Sequence, residues 1–144
     1  MGLFYDHIAL AVTDINRSIA FYQGVMGLEG GKRHFQKDGR EQAIFGVGEG
    51  ILVLFYLPRY EPKKRSPRSG MHHLAFGLDP KAYDAIVKRC EEQGVRIERT
   101  AINSGAKGKG LATYFYDPDG NEIEIKKYVE DPNFRELETE GYEV

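Results

Sequence analysis

The sequence predicts an α+β fold: two paired βαββ(β) modules forming a shared, incompletely closed sheet around a cleft, with the helices outside. Three observations predict it. Letters repeat at long range, with Asp6-His7-Ile8-Ala9-Leu10 lying against His72-His73-Leu74-Ala75-Phe76 at an offset of 73 − 7 = 66. Each half also shows the same order of hydrophobic periodicities: alternation, then helical spacing, then alternation again. The length of 144 residues, with 41% hydrophobic and 29% charged, suits one soluble globular domain built from a duplicated module. The expected division is a single domain over 1–130, with module one at about 4–57, a linker at 58–70 and module two at about 71–128. An acidic tail follows at 131–144.

The elements follow in order. Residues 4–12 read as a strand, with Ile8, Leu10 and Val12 on one face and His7, Ala9 and Ala11 on the other. Thr13 or Asp14 suits a helix N-cap. Ile15, Ile19, Tyr22 and Met26 continue at helical spacing until Gly27 stops them. Strands are expected over 29–37 and 41–47 around the turn Lys37-Asp38-Gly39-Arg40, and a near-continuous apolar strand over 51–57. Three prolines and five basic residues mark 58–70 as a linker or lid. The order then restarts. A strand is expected over 71–78, with Asp79 as cap, Pro80 in the first helical turn, and Tyr83, Ile86, Val87 and Cys90 on the helix face. A strand over 95–100 and a Gly/Lys-rich loop over 103–110 precede the final hairpin.

That hairpin is the most informative stretch. Tyr114, Phe115 and Tyr116 are strong strand formers. Asp117-Pro118-Asp119-Gly120 supplies a turn, with Pro118 presetting φ and Gly120 accepting a positive φ. Glu122 and Glu124 then alternate with Ile123 and Ile125, so one face is acidic and the other apolar. A carboxylate just inside a strand needs a positive partner, and a metal ion would serve.

Bulk properties narrow the function. A net charge of −2 and a pI near 6.1 recruit neither nucleic acid nor an anionic membrane. No apolar run approaches the ~20 residues of a membrane helix, and the N-terminus carries no signal-peptide pattern. The single cysteine, Cys90, excludes an internal disulfide and reads as a packed helix residue in a reducing cytoplasm.

His7 and His73 stand at equivalent places in the repeat, with the small residues Ala9, Ala11, Ala75 and Gly77 beside them on their faces. Small neighbours leave room above each strand. Two neutral imidazoles and the Glu124 carboxylate would bind one divalent ion and leave positions open for water or substrate. Tyr114 reads either as a hydrogen-bond donor to bound substrate or as a cross-strand packing residue. Lys63-Lys64-Arg65 and residues 107–109 read either as lids over an anion or as solvated charge.

His7-Ile8-Ala9-Leu10-Ala11-Val12, Ser18-Ile19-Ala20-Phe21-Tyr22, Gly27-Leu28, His73-Leu74-Ala75-Phe76 and Asp117-Pro118-Asp119-Gly120-Asn121-Glu122-Ile123-Glu124 together resemble the vicinal oxygen chelate superfamily over nearly all of 4–128. That superfamily includes glyoxalase I, fosfomycin-resistance proteins, extradiol dioxygenases and bleomycin-resistance proteins. The resemblance implies metal ligands at His7, His73 and Glu124. A fourth ligand position falls near Val53, which cannot coordinate. It implies one divalent ion, among Fe, Mn, Zn, Ni and Co, that chelates a small oxygenated substrate in a homodimer. The expected activity is that of a metal-dependent lyase, isomerase or dioxygenase. The alternative is a non-catalytic drug- or metabolite-binding protein similar to the bleomycin-resistance proteins.

Overall fold

The computed structural model describes residues 2–59 and 71–128, which fall in two compact units, one on either side of the break. The expected linker, the lid reading of Lys63-Lys64-Arg65 and the acidic tail lie outside the described residues.

The first unit runs β1 (His7–Val12), α1 (Ile15–Gly24), β2 (Gly30–Phe35), β3 (Glu41–Val47) and β4 (Gly50–Tyr56). Its sheet has the order β1-β4-β3-β2, with β1 parallel to β4 and the other pairs antiparallel. Asp14 caps α1, its side chain accepting from the Arg17 backbone N–H at 3.0 Å. Leu10, Val12, Ala43, Phe45, Leu52 and Leu54 are buried and alternate onto one sheet face, and α1 covers it with Ile15, Phe21 and Tyr22. Tyr22 meets Phe45 at a ring-centroid distance of 6.1 Å. Gly27, with φ 69°, ends the helical segment at the position expected for a positive-φ stop.

The second unit repeats the plan: β5 (Leu74–Leu78), α2 (Pro80–Glu92), β6 (Arg99–Gly105), β7 (Gly108–Tyr116) and β8 (Glu122–Lys127), in the order β5-β8-β7-β6. Asp79 caps α2 by accepting from Ala82 N at 2.8 Å, with Pro80 in the first turn. Phe76, Phe115, Ile123 and Ile125 are buried on the face that α2 covers with Tyr83, Ile86 and Cys90. Cys90 is fully buried, and burial pushes its thiol up to about 11, as expected for a packed residue. Asp14→Ala or Asp79→Ala should each cost about 1 kcal/mol in chemical denaturation, because each strands helix N–H groups that the carboxylate satisfies.

Both units are therefore βαβββ, and the duplication read from the letters is a duplication of topology. Two expectations are corrected. The loop expected over 103–110 is the closing half of a hairpin: Asn103 pairs with Gly110, Ser104 with Lys109 and Gly105 with Gly108. The strand expected over 95–100 accordingly starts four residues later, at Arg99. Its glycines suggested a loop, but only Gly108, with φ 99°, serves the turn through a positive φ. Gly105 and Gly110 are pairing residues, and their lack of a side chain serves a different end, described below.

Candidate functional site

The helix-free face of the second sheet gathers Glu124, Tyr114 and Lys126, with His73 just before β5. The turn after β7 builds it. Asp117 is buried, and its Oδ1 accepts from Asp119 N at 3.0 Å and Asn121 N at 2.8 Å; its Oδ2 accepts from Asn121 Nδ2 at 2.9 Å. Gly120, at φ 82°, donates its N–H to Asp117 O at 3.0 Å. This closure sets the register of β7 on β8, so that Tyr114 stands directly opposite Glu124 and Tyr116 opposite Glu122. On the other side of β8, Ala75 stands opposite Glu124. On the far side of β7, Arg99 stands opposite Tyr114. One row across the sheet thus reads Ala75, Glu124, Tyr114, Arg99.

Glu124 is 4% exposed. Its Oε2 lies 3.0 Å from His73 Nε2, and its Oε1 lies 3.4 Å from the Lys126 ammonium. Among the described residues, Oε1 has no hydrogen-bond partner. The small side chain of Ala75 and the bare Gly77 leave space beside these groups, as the alternation predicted. His73 sits just before β5, and its ring meets the Tyr114 ring edge-on at 6.1 Å. Its Nδ1 lies 2.9 Å from His72 Nδ1. Neither residue belongs to β5, so strand alternation does not separate them, and the two rings pack at 5.1 Å. An Nδ1–H bond to His72 would leave the Nε2 lone pair of His73 free beside Glu124.

Tyr114 is buried beneath the Arg99 guanidinium, whose carbon lies 3.8 Å from the ring centroid. Burial, and secondarily the Glu124 charge, push the phenol above its ordinary value, so it stays protonated. Its oxygen accepts a hydrogen bond from Asn103 Nδ2. Arg99 also pairs with Glu122 at 3.3 Å.

The sequence-predicted site residues thus fall in two groups. His73, Glu124 and Tyr114 are brought together within the second unit. His7 belongs to the first unit, where it opens β1, is exposed, and contacts Asp6. Ala9, two residues after His7, stands opposite Val53, as Ala75, two residues after His73, stands opposite Glu124. Val53 is therefore the counterpart of Glu124, as expected, and is buried and apolar. Among the described residues, no three His, Cys, Asp or Glu side chains are gathered in a metal-holding group. Three polar residues of this face were missed: Arg99, Asn103 and Lys126. The signal for Lys126 was present, since the alternation that pairs Glu122 with Glu124 continues to it. Asn103 was hidden by the loop reading.

The residues present fit a divalent ion at the His73–Glu124 pair. An imidazole nitrogen and a carboxylate oxygen 3.0 Å apart are both within reach of one ion at bonds of about 2.0–2.2 Å. The other carboxylate oxygen, Oε1, has no hydrogen-bond partner among the described residues and stands 3.4 Å from the Lys126 ammonium.

Two βαβββ modules, one with an imidazole and a carboxylate 3.0 Å apart beside the sheet face opposite its helix, define the class of scaffold. The chain belongs to the Glyoxalase/Bleomycin resistance protein/Dioxygenase superfamily, whose model matches residues 5–125. It is 34% identical over 125 residues to the virulence protein STM3117 of Salmonella typhimurium, covering 86% of this chain and 83% of that protein. It is 28% identical to the glutathione transferase FosA of Serratia marcescens, covering 83% and 77%. Among solved structures, an integron cassette protein from V. cholerae matches at 35% identity and a TM-score of 0.66, covering 90% of this chain and 98% of that one. A mutant of the fosfomycin resistance protein FosX of Listeria monocytogenes, solved with Mn(II) and 1S,2S-dihydroxypropylphosphonic acid, matches at 21% identity and a TM-score of 0.66, covering 90% of this chain and 96% of that one, and shares the fold.

Proposed function

We propose that this protein is a divalent-metal-dependent enzyme acting on a small oxygenated substrate, with His7, His73 and Glu124 as the metal ligands. The observation that carries the reading is the His73 Nε2–Glu124 Oε2 pair at 3.0 Å, set beside a buried tyrosine on a sheet face that small residues keep open. When bound, the ion supplies Lewis acidity, stabilising negative charge on a substrate oxygen.

The chain's own residues do the rest. The Tyr114 phenol, held protonated by burial, donates a hydrogen bond to a substrate oxygen. Arg99, lying over that ring, places a cation where an anionic substituent would sit. Glu124 is fixed by β8 and by Lys126 at its Oε1, so its Oε2 is presented beside His73 without a large loss of side-chain entropy. The two-His-one-carboxylate set suits isomerisation, addition or, with Fe(II), ring cleavage. A homodimer in the cytoplasm, within a single vicinal oxygen chelate domain, completes the reading. No helix among the described residues is long and apolar enough to cross a membrane.

The second reading is a non-catalytic small-molecule binder. Lys126 favours it, because an ammonium 3.4 Å from Glu124 already balances the carboxylate without a metal. Elemental analysis of purified protein separates the two. The enzyme reading expects about one divalent ion per chain, lost in His7→Ala and in His73→Ala. Substoichiometric metal that neither substitution changes would leave the binder.

A further inference from the structure

The geometry points to Lys126 as a positioning residue that acts through Asn103 to make the Tyr114 phenol a hydrogen-bond donor toward bound ligand. Lys126 follows Glu124 by two residues on the same face of β8 and is 4% exposed. Its ammonium donates to Asn103 O at 2.9 Å, to Ser104 O at 3.3 Å and to Asn103 Oδ1. An ammonium has three protons and no lone pair, so every atom it meets must accept. The Asn103 amide is thereby oriented: its oxygen faces Lys126, and its nitrogen must face Tyr114. That nitrogen carries only protons, so the phenol oxygen is obliged to accept from it. The phenol's single proton then has no acceptor in Asn103 and is left to point elsewhere. A tyrosine that accepts from the protein is a tyrosine free to donate to a ligand.

A second, independent feature shows that the chain is built around this lysine. A Cβ placed on Gly110 would stand 2.6 Å from the Lys127 carbonyl oxygen and 3.1 Å from Lys126 Cγ, and one on Gly105 would clash with the Tyr128 hydroxyl and stand 2.9 Å from Lys126 Cδ. Neither glycine adopts a positive φ, so what their missing side chains supply is room, shared by the Lys126 stem, the Tyr128 side chain and the Lys127 carbonyl, rather than backbone freedom. The neighbouring strand and its hairpin partner are hollowed along the path of a buried cation. A lysine kept at that cost in a sheet interior has a directional task as well as a charge to balance.

The inference rests on the proposed reading of this face as the ligand site, but the relay from Lys126 through Asn103 to Tyr114 is testable without metal or ligand. Asn103→Asp keeps the shape and removes the donor. Lys126 still donates to it, and the phenol must now donate to the new carboxylate. Ultraviolet resonance Raman of the tyrosine doublet distinguishes an accepting from a donating phenol. The difference from Tyr114→Phe isolates this residue among the nine tyrosines. We expect the Tyr114 doublet to shift toward the donor side in Asn103→Asp. Lys126→Met should shift it part of the way, and Lys126→Arg should restore the wild-type signal. Should Asn103→Asp fail to fold, Asn103→Ala, which removes the amide donor to the phenol, is expected to move the doublet away from its accepting position. An unchanged doublet in every variant that folds overturns the relay. Metal content measured on the same samples should match wild type in Asn103→Asp. Metal absent from all samples would remove the metal reading and leave the Raman result to decide the relay on its own.

Discussion

Glu124→Gln is expected to destabilise the metal-free protein by about 3–5 kcal/mol and to lower its affinity for a divalent ion by more than a hundredfold. Both effects come from one deleted charge. Glutamine matches the shape of glutamate, so no cavity opens. What changes is that the Lys126 ammonium, whose side chain is 5% exposed, keeps its charge beside a neutral amide. Breaking a buried pair from one side leaves an uncompensated ion, and that is the expensive case. The metal effect has a separate origin, because an amide oxygen is a far weaker ligand than a carboxylate. A double-mutant cycle with Lys126→Met separates the two. Glu124→Gln/Lys126→Met should lose less stability than the sum of the two single changes, since the stranded charge is gone. It should regain no metal affinity. Urea denaturation and titration with Mn(II) or Zn(II) read the two halves. A Glu124→Gln protein within 1 kcal/mol of wild type, with unchanged metal binding, would mean that the carboxylate neither balances the lysine nor holds an ion.

That charge accounting was only half legible in the sequence. Strand alternation placed Glu122 and Glu124 on one face and demanded a cation, and a metal ion was nominated. The face in fact supplies two cations of its own, Lys126 at 3.4 Å from Glu124 and Arg99 at 3.3 Å from Glu122. Lys126 was within reach of the same alternation. Arg99 was not, because its place depends on the register of β6 against β7, and that register was masked by three glycines read as a loop. The duplicated topology was legible because both halves carry local signals: a cap, a helical stripe and a strand ending at a turn. His73 beside Glu124 was legible through the repeat and the motif. His72 beside His73 was not, since the rule that successive residues face apart applies inside a strand and fails one residue before it starts. Contacts set by a strand's first residue, or by the pairing of distant strands, leave no periodic trace in the chain.

The register that brings Tyr114 to Glu124 depends on the buried Asp117 at the turn, and Asp117→Ala should cost about 3–4 kcal/mol. Its carboxylate accepts from two backbone N–H groups and one side-chain amide, at 2.8–3.0 Å. Hydrogen bonds to a charged acceptor contribute about 1.5–3 kcal/mol each, but donors sharing one carboxylate are not additive, so the sum falls below three full increments. Asp117→Asn separates charge from geometry. Its Oδ1 still accepts from Asp119 N and Asn121 N, while its amide nitrogen faces the Asn121 amide, so about 1–2 kcal/mol should be lost. The functional consequence follows from the pleat. A slip of one residue between β7 and β8 would turn Glu124 toward α2 and Ile123 toward the open face, exchanging the polar and apolar sides of the strand at once. The turn therefore specifies which residues can meet a ligand as well as how firmly the hairpin closes. Amide hydrogen exchange along β7 and β8 should rise in Asp117→Ala more than in Asp117→Asn, beginning at the turn. Equal exchange in the two variants, or a loss of less than 1 kcal/mol on removing the side chain, would show that Pro118 and Gly120 hold the register without the acid.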